Sequence, residues 1–161
     1  MSGLSLLTRT SDETLALGAC LGGMLEPGDV VALTGELGTG KTVLTKGLAR
    51  GLGVPEKNNV RSPSFVILNI YEGHCPFYHL DLYRIREPSE VEDLGYREIL
   101  YGEGVTVIEW AEKMGHLLPD DRLEIRLSFG GGDCRTVFLE VRGNRFEGRW
   151  HDLRGCLSRF A

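Results

Sequence analysis

The stretch Gly35 to Thr42 constrains this 161-residue chain more than any other. It reads Gly-Glu-Leu-Gly-Thr-Gly-Lys-Thr and lies between the apolar run 30–33 and a segment with a helical pattern that starts at Lys41. Glycines allow a tight turn in which successive backbone N–H groups point inward, and the start of the next helix adds further N–H groups. A strand, such a loop and a helix together predict a phosphate-binding P-loop.

Each position of this loop has an expected role in binding ATP with Mg²⁺. Lys41 supplies a mobile cation for the β- and γ-phosphates, and the Thr42 hydroxyl is a hard oxygen ligand for Mg²⁺. The remaining backbone is expected to surround the phosphates. The predicted nucleotide-binding positions of the loop are Glu36, Leu37, Gly38, Thr39, Gly40, Lys41 and Thr42.

Length and composition indicate one soluble globular domain over residues 1–161, with 42% hydrophobic and 25% charged residues. No apolar run approaches the ~20 residues that span a bilayer, and the N-terminus lacks the features of a secretory signal. We therefore expect a cytoplasmic protein whose four dispersed cysteines are reduced. The net charge of −5 does not favour free nucleic acid as a partner, although the segment from Arg135 onward carries +3. That basic tail is interpreted either as a contact for RNA or an acidic protein, or as a solvated helix face.

Hydrophobic periodicity predicts an alternation of strands and helices along the chain. The predicted elements are a helix over 11–25, a strand over 30–33, a helix over 41–51, a hairpin over 64–71 and 77–83, short helices from 89 and up to 100, a strand over 105–110, a short helix to 114, a hairpin over 123–129 and 136–141, and an amphipathic tail helix from 150. This order predicts an α/β P-loop NTPase-like three-layer sandwich, with a mixed central sheet and antiparallel C-terminal strands. The order of the strands in the sheet stays open.

Two carboxylates end predicted strands, at the edge where open α/β sheets place ligands. Asp81 follows His79-Leu80 in alternation, and Glu109 closes the apolar run from Val105. A carboxylate there is costly to bury without a cation, which Mg²⁺ would supply. We predict that Thr42, Asp81 and Glu109 hold the metal and that Lys41, Asp81 and Glu109 are catalytic; an acid at an ordinary strand-to-loop junction is the alternative.

Further polar residues are candidates for contacts with the γ-phosphate. Ser62 and Ser64 follow the first loop–helix unit, where P-loop proteins often keep a phosphate-sensing segment, although an ordinary proline turn is the alternative. Arg84, and less so Arg86, could offset charge on the transferring phosphoryl group, or could be surface charges.

The order of several motifs resembles the bacterial TsaE (YjeE) family from about Ser11 to Val141. The motifs are the P-loop, Arg61-Ser62-Pro63-Ser64-Phe65, His79-Leu80-Asp81-Leu82-Tyr83-Arg84, Asp93-Leu94-Gly95-Tyr96-Arg97-Glu98 and Glu109-Trp110. The resemblance implies the ATPase subunit of the machinery that adds threonylcarbamoyl to the tRNA adenosine beside the anticodon. It implies partner proteins of the TsaD and TsaB type, with tRNA contacted only indirectly.

The resemblance also implies roles for individual residues. Thr42 and Glu109 would hold Mg²⁺, and Asp81 would be essential near the metal. Thr10 and Ser11, at the start of the first helix, and Arg135, in the last hairpin, would lie near the nucleotide.

Three other functions fit parts of the same pattern. A small-molecule kinase would use the same loop but would need an acceptor pocket and an arginine-rich lid. A GTPase is disfavoured because no Asn-Lys-x-Asp segment is present to read guanine. A nucleotide-gated scaffold would bind ATP through the same residues with negligible hydrolysis.

Overall fold

The computed structural model describes residues 2–61 and 67–161, and these contain one seven-stranded mixed sheet. The strands are β1 (Ser2–Thr8), β2 (Val30–Thr34), β3 (Leu68–Glu72), β4 (Pro76–Asp81), β5 (Val105–Glu109), β6 (Arg122–Phe129) and β7 (Arg135–Arg142). Their order across the sheet is β1-β7-β6-β2-β5-β4-β3. β2 pairs in parallel with β5 and β6, and β4 pairs in parallel with β5. The β1–β7, β6–β7 and β3–β4 pairs are antiparallel, so the predicted mixed sheet with antiparallel C-terminal strands is confirmed.

Helices cover both faces of this sheet. The α-helices are α1 (Ser11–Gly22), α2 (Lys41–Gly51), α3 (Ser89–Glu92), α4 (Tyr96–Leu100) and α5 (Trp150–Leu157), with 3₁₀ turns at Glu56–Asn58, Ala111–Leu117, Glu147–Arg149 and Ser158–Phe160. One buried apolar cluster joins α1, α2 and α5 to the sheet, and a second joins α3, α4 and the 3₁₀ segment 111–117 to its other face. Within the described residues, no helix is long and apolar enough to cross a membrane.

The central strand β2 shows why the sequence adopts this layered arrangement. Successive strand side chains point to opposite faces. Val31 and Leu33 belong to the cluster under α1 and α2, whereas Val30 and Ala32 belong to the other cluster. An uninterrupted apolar run is therefore required here, since both faces of β2 are buried.

The structure departs from the predicted elements most clearly at β1 and at the end of the first helix. β1 was not predicted, because a short edge strand with small polar residues has a weak alternation signal and forms through its pairing with β7. The first helix ends at Gly22, not at Leu25, since the pair Gly22-Gly23 is unfavourable for continuing a helix. The predicted amphipathic tail helix is confirmed as α5, with Leu153 and Leu157 fully buried.

The C-terminal segment after β7 is attached to the rest of the fold by ion pairs and by a disulfide. The buried carboxylate of Asp29 accepts hydrogen bonds from Arg145 Nε at 2.6 Å and from both terminal nitrogens of Arg149 at 2.8 Å. Cys20 of α1 and Cys156 of α5 form a disulfide. The expectation of reduced cysteines is therefore wrong for this pair, because the fold packs α5 onto α1; Cys75 and Cys134 are free.

Candidate active site

The candidate site lies at one edge of the sheet, where β2, β4, β5 and β6 all end. The P-loop connects the end of β2 to the first residue of α2, which is Lys41. Parallel pairing places Asp81 directly beside Glu109 in the ladder, and Leu33 of β2 beside Glu109 on its other side. Residues that are far apart in sequence therefore reach one edge, as expected for open α/β sheets.

The P-loop backbone depends on glycine at specific points. Gly35, Gly38 and Gly40 have φ values of 142°, 83° and 100°, which side chains rarely adopt. A Cβ on Gly35 would also lie 2.4 Å from the carbonyl oxygen of Leu127. The buried Thr39 hydroxyl donates to the Glu36 carbonyl at 2.8 Å and fixes the turn further.

Lys41 is held inside the loop. Its Nζ donates to the carbonyl oxygens of Gly35 at 2.6 Å and Glu36 at 2.8 Å, and only 5% of the residue is exposed. The ammonium also lies 4.1 Å from the centre of the Trp110 ring. Burial lowers the pKa of Lys41, and nearby carboxylates, with Glu109 the strongest, oppose that shift. In this position the ammonium can exchange these carbonyl oxygens for the oxygens of an incoming anion.

Glu109 is the buried carboxylate beside the loop. Its Oε1 accepts from the Thr42 hydroxyl at 3.1 Å, and its Oε2 lies 2.5 Å from His79 Nε2. Glu109 is 2% exposed and His79 is 0% exposed. The predicted pairing of Thr42 with Glu109 in space is thus present, whereas their binding of Mg²⁺ stays a prediction.

Asp81 lies next to this pair, and its carboxylate has a structural contact of its own. Its Oδ1 accepts from the backbone N–H of Tyr83 at 3.0 Å, which turns the chain after β4. The charge of Asp81 is among those that raise the pKa of Lys41. Asp81 therefore lies within electrostatic range of the P-loop cation.

Arg135 reaches the P-loop from the first residue of β7. Its Nε donates to the Thr39 carbonyl at 3.1 Å, and its guanidinium stacks 5.0 Å from the centre of the Phe129 ring. β1 pairs with β7 so that Thr8 lies opposite Arg135. Thr10, two residues further on, caps α1 by accepting from the Glu13 N–H at 3.1 Å. The start of α1, which includes Ser11, thus belongs to the same edge of the sheet as the P-loop.

Among the described residues, the side chains of Arg84 and Arg86 make no hydrogen bond or ion pair with this group. Arg84 and Arg86 are exposed in the turn after β4. Ser62 and Ser64 lie outside the described residues. A cleft of about 480 Å³ opens between the P-loop and the end of β6. The residues that line this cleft are Thr34, Gly35, Glu36, Thr39, Arg126, Leu127, Ser128 and Phe129.

Two residues of the site had no role predicted for them, although both lie in the motifs quoted above. His79 shares its strand face with Asp81, and a histidine inside an apolar strand was the available signal. Trp110 has a left-handed backbone with φ of 59°, which is unusual for an aromatic residue, and its ring covers Lys41. Backbone strain of this kind is concentrated at functional sites and is not visible in a sequence.

The residues present fit a triphosphate with Mg²⁺. Among residues 2–61 and 67–161, no group of three or more His, Cys, Asp or Glu could hold a metal alone. Mg²⁺ commonly takes one or two protein oxygens and completes its shell with phosphates and water. Thr42 and Glu109, with Asp81 beside them, offer that limited set of hard oxygen ligands next to a loop shaped for phosphate.

Comparison with protein families gives a match over most of this chain. The family model described as "Threonylcarbamoyl adenosine biosynthesis protein TsaE" matches residues 8–137. A protein from Bacillus subtilis (strain 168) named tRNA threonylcarbamoyladenosine biosynthesis protein TsaE is 41% identical over 148 residues, which is 91% of each chain. A protein of the same name from Treponema pallidum (strain Nichols) is 41% identical over 121 residues, covering 75% of this chain and 88% of that protein. One from Nostoc sp. is 42% identical over 133 residues, 78% of each.

A solved structure shares the whole architecture. The crystal structure of Bacillus subtilis YdiB superposes with a TM-score of 0.77 at 35% identity, covering 98% of this chain and 95% of that one. At this identity and coverage the likeness extends to the C-terminal segment after residue 137. The likeness and the mixed sheet together confirm the predicted P-loop NTPase-like α/β fold.

Proposed function

Because this chain belongs to the TsaE family of threonylcarbamoyl adenosine biosynthesis proteins, we propose that it is the P-loop ATPase of a tRNA-modifying complex. It binds and hydrolyses ATP with Mg²⁺, and this drives or resets the complex that installs threonylcarbamoyl on the tRNA adenosine next to the anticodon. The proposed partners are proteins of the TsaD and TsaB type, and the proposed location is the cytoplasm.

One observation carries the proposal: Lys41, Thr42 and Glu109 meet at the end of β2. A buried ammonium, a hydroxyl and a buried carboxylate lie within one cluster, joined by the 3.1 Å bond between Thr42 and Glu109. P-loop enzymes use this combination to bind the β- and γ-phosphates and to hold Mg²⁺. Burying a carboxylate is costly, and a glycine turn without a function would not explain why Glu109 is buried beside it.

Lys41 and Arg135 are the proposed donors to the phosphates of the nucleotide. Lys41 and Arg135 donate to carbonyls of the loop itself, and both would exchange these carbonyls for phosphate oxygens. Mg²⁺, when bound, would supply charge neutralisation on the phosphates and would be held by Thr42 and Glu109, with Asp81 beside them. Asp81 and Glu109 would orient the attacking water, because they are the acids nearest to the loop on β4 and β5.

The test is ATP turnover by the full chain with its partner proteins, and by variants of the cluster. Thr42→Ala and Glu109→Gln each remove one group of the proposed metal site and are expected to lower turnover by at least about 10²-fold. Glu103→Gln, at an exposed acid two residues before β5 begins, is the matched control and is expected to leave turnover unchanged.

The same assay separates the competing functions. Transfer of the phosphoryl group to an added alcohol, instead of its release as inorganic phosphate, would indicate a kinase. ATP binding with no turnover, alone or with partners, would indicate a scaffold. Full activity of Thr42→Ala or Glu109→Gln would overturn the site assignment itself.

A further inference from the structure

His79 is the buried polar side chain beside the site to which the proposed function gives no part. It lies on β4 with 0% exposure, and its ring is stacked against Phe77, with the ring planes 12° apart. A polar group in such a place is costly unless it is hydrogen-bonded. The ring therefore needs a hydrogen-bond partner that offsets the free-energy cost of its burial.

That partner is the carboxylate of Glu109. His79 Nε2 lies 2.5 Å from Glu109 Oε2, whereas Nδ1 has no partner within the described part of the chain. A carboxylate oxygen accepts hydrogen bonds, so the donor in this contact is the N–H at Nε2 of His79. The geometry therefore indicates that Nε2 carries a proton and donates it to Glu109.

The other nearby donor to Oε2 is committed elsewhere. The Thr45 hydroxyl lies 2.8 Å from the Lys41 carbonyl and 3.5 Å from Glu109 Oε2. A hydroxyl has one proton, and the shorter contact takes it. His79 thus holds Oε2 from the sheet side, while Thr42 donates to Oε1 from the P-loop side.

We propose that His79 is a positioning residue that sets the orientation of the Glu109 carboxylate toward Thr42 and the metal. Groups that hydrogen-bond a metal-binding carboxylate fix its direction, and their loss typically lowers metal affinity by about 10–100-fold. The inference rests on the proposed function, because it requires Glu109 to act on a nucleotide-bound Mg²⁺.

The test measures binding of a non-hydrolysable ATP analogue to the full chain, first in EDTA and then as a function of Mg²⁺ concentration. His79→Leu removes the donor at similar volume, and His79→Gln keeps an N–H near the position of Nε2. His151→Leu, at an exposed histidine of α5, is the matched control. Circular dichroism and thermal unfolding check that each variant is folded.

We expect His79→Leu to raise the Mg²⁺ concentration for half-maximal tightening by about 10–100-fold, with binding in EDTA unchanged. His79→Gln should stay within about threefold of the parent chain, since it restores the donor. A Mg²⁺ dependence of His79→Leu equal to that of the parent, or a His79→Gln variant as impaired as His79→Leu, would overturn the proposal.

If His79→Leu does not fold, His79→Asn takes its place, because its shorter amide does not reach the Nε2 position. A raised Mg²⁺ requirement in the Asn variant but not in the Gln variant supports the proposal, and equal requirements contradict it. A parent chain whose analogue binding is insensitive to Mg²⁺ would refute the proposed function as well, which separates the two failures.

Discussion

At the scale of single residues, the two cationic side chains at the P-loop donate hydrogen bonds to carbonyl oxygens of the loop backbone. Lys41 donates to the carbonyls of Gly35 and Glu36, and Arg135 donates to that of Thr39. These bonds keep the loop in shape, and they involve the donors that phosphate oxygens would require. Binding of nucleotide would therefore exchange neutral acceptors for charged ones, which form stronger hydrogen bonds.

Asp81 allows its charge to be separated from its structural contact. Asp81→Asn keeps an oxygen that accepts from the Tyr83 N–H, so the turn after β4 should persist. The variant loses the negative charge beside Glu109, and we expect ATP turnover with partners to fall by about 10²-fold or more. The measurement is steady-state phosphate release, with the free energy of unfolding determined in urea.

The matching control is Asp120→Asn, at an exposed acid in the turn before β6. It removes the same charge far from Lys41 and should leave turnover as it is. Parent-like turnover by Asp81→Asn would show that the charge of Asp81 has no part in hydrolysis.

Residue positions at the site were more predictable than residue contacts. Asp81 and Glu109 were identified because each ends a predicted strand, and the parallel ladder does place them side by side. The contact between His79 and Glu109 crosses from β4 to β5 on a diagonal, so it depends on the register of two strands that a single sequence does not specify.

At the scale of elements, α1 packs against the P-loop helix α2 through glycine. A Cβ on Gly22 would lie 2.3 Å from the carbonyl oxygen of Leu48, and one on Gly47 would lie 2.3 Å from that of Leu15. The two backbones are therefore close enough that any side chain at these positions forces the helices apart. This contact supports the position of α2, and with it that of Lys41.

Gly22→Ala tests this packing directly. Alanine favours a helix by up to about 1 kcal/mol over glycine, but overpacking a rigid backbone costs about 1–3 kcal/mol or more. At 2.3 Å the steric cost is the larger effect, and we expect the free energy of unfolding to fall by about 2 kcal/mol in urea denaturation.

Gly155→Ala in α5 is the matched change, since a Cβ there meets nothing within 4 Å. It should raise the free energy of unfolding by about 0.5–1 kcal/mol through helix propensity alone. Equal effects of the two substitutions would contradict the close packing of α1 on α2.

Elements were predictable where local pattern decides them. The spacing of Leu153 and Leu157 predicted α5, and the alternation in 123–129 predicted β6. β1 escaped because its stability comes from pairing with β7, more than a hundred residues away in sequence. The disulfide between Cys20 and Cys156 likewise depends on α5 lying on α1.

At the scale of the whole molecule, charge is distributed unevenly but is largely compensated. The segment from Arg135 onward has six arginines against three acidic residues, giving +3, so the remainder carries −8. The structure pairs several of these arginines with acids of the fold. Arg145 and Arg149 bind the buried Asp29, and Arg142 Nε lies 3.4 Å from Glu124 Oε2 of β6. Arg145 and Arg149 therefore attach the tail to the fold, whereas Arg154 and Arg159 are exposed.

This compensation predicts that the isolated chain binds tRNA weakly. Phosphate backbones are held by Lys and Arg whose release of counterions gives steep salt dependence, and non-specific dissociation constants are then about 10⁻⁴–10⁻⁶ M. With Arg142, Arg145 and Arg149 paired internally, this chain should show a dissociation constant above about 10⁻⁴ M for labelled tRNA at physiological salt, measured by fluorescence anisotropy. Arg154→Ala and Arg159→Ala, at exposed positions of the tail, should not change the signal. Micromolar binding that these substitutions abolish would instead make the tail a direct tRNA contact, and recruitment of tRNA through partner proteins alone would no longer hold.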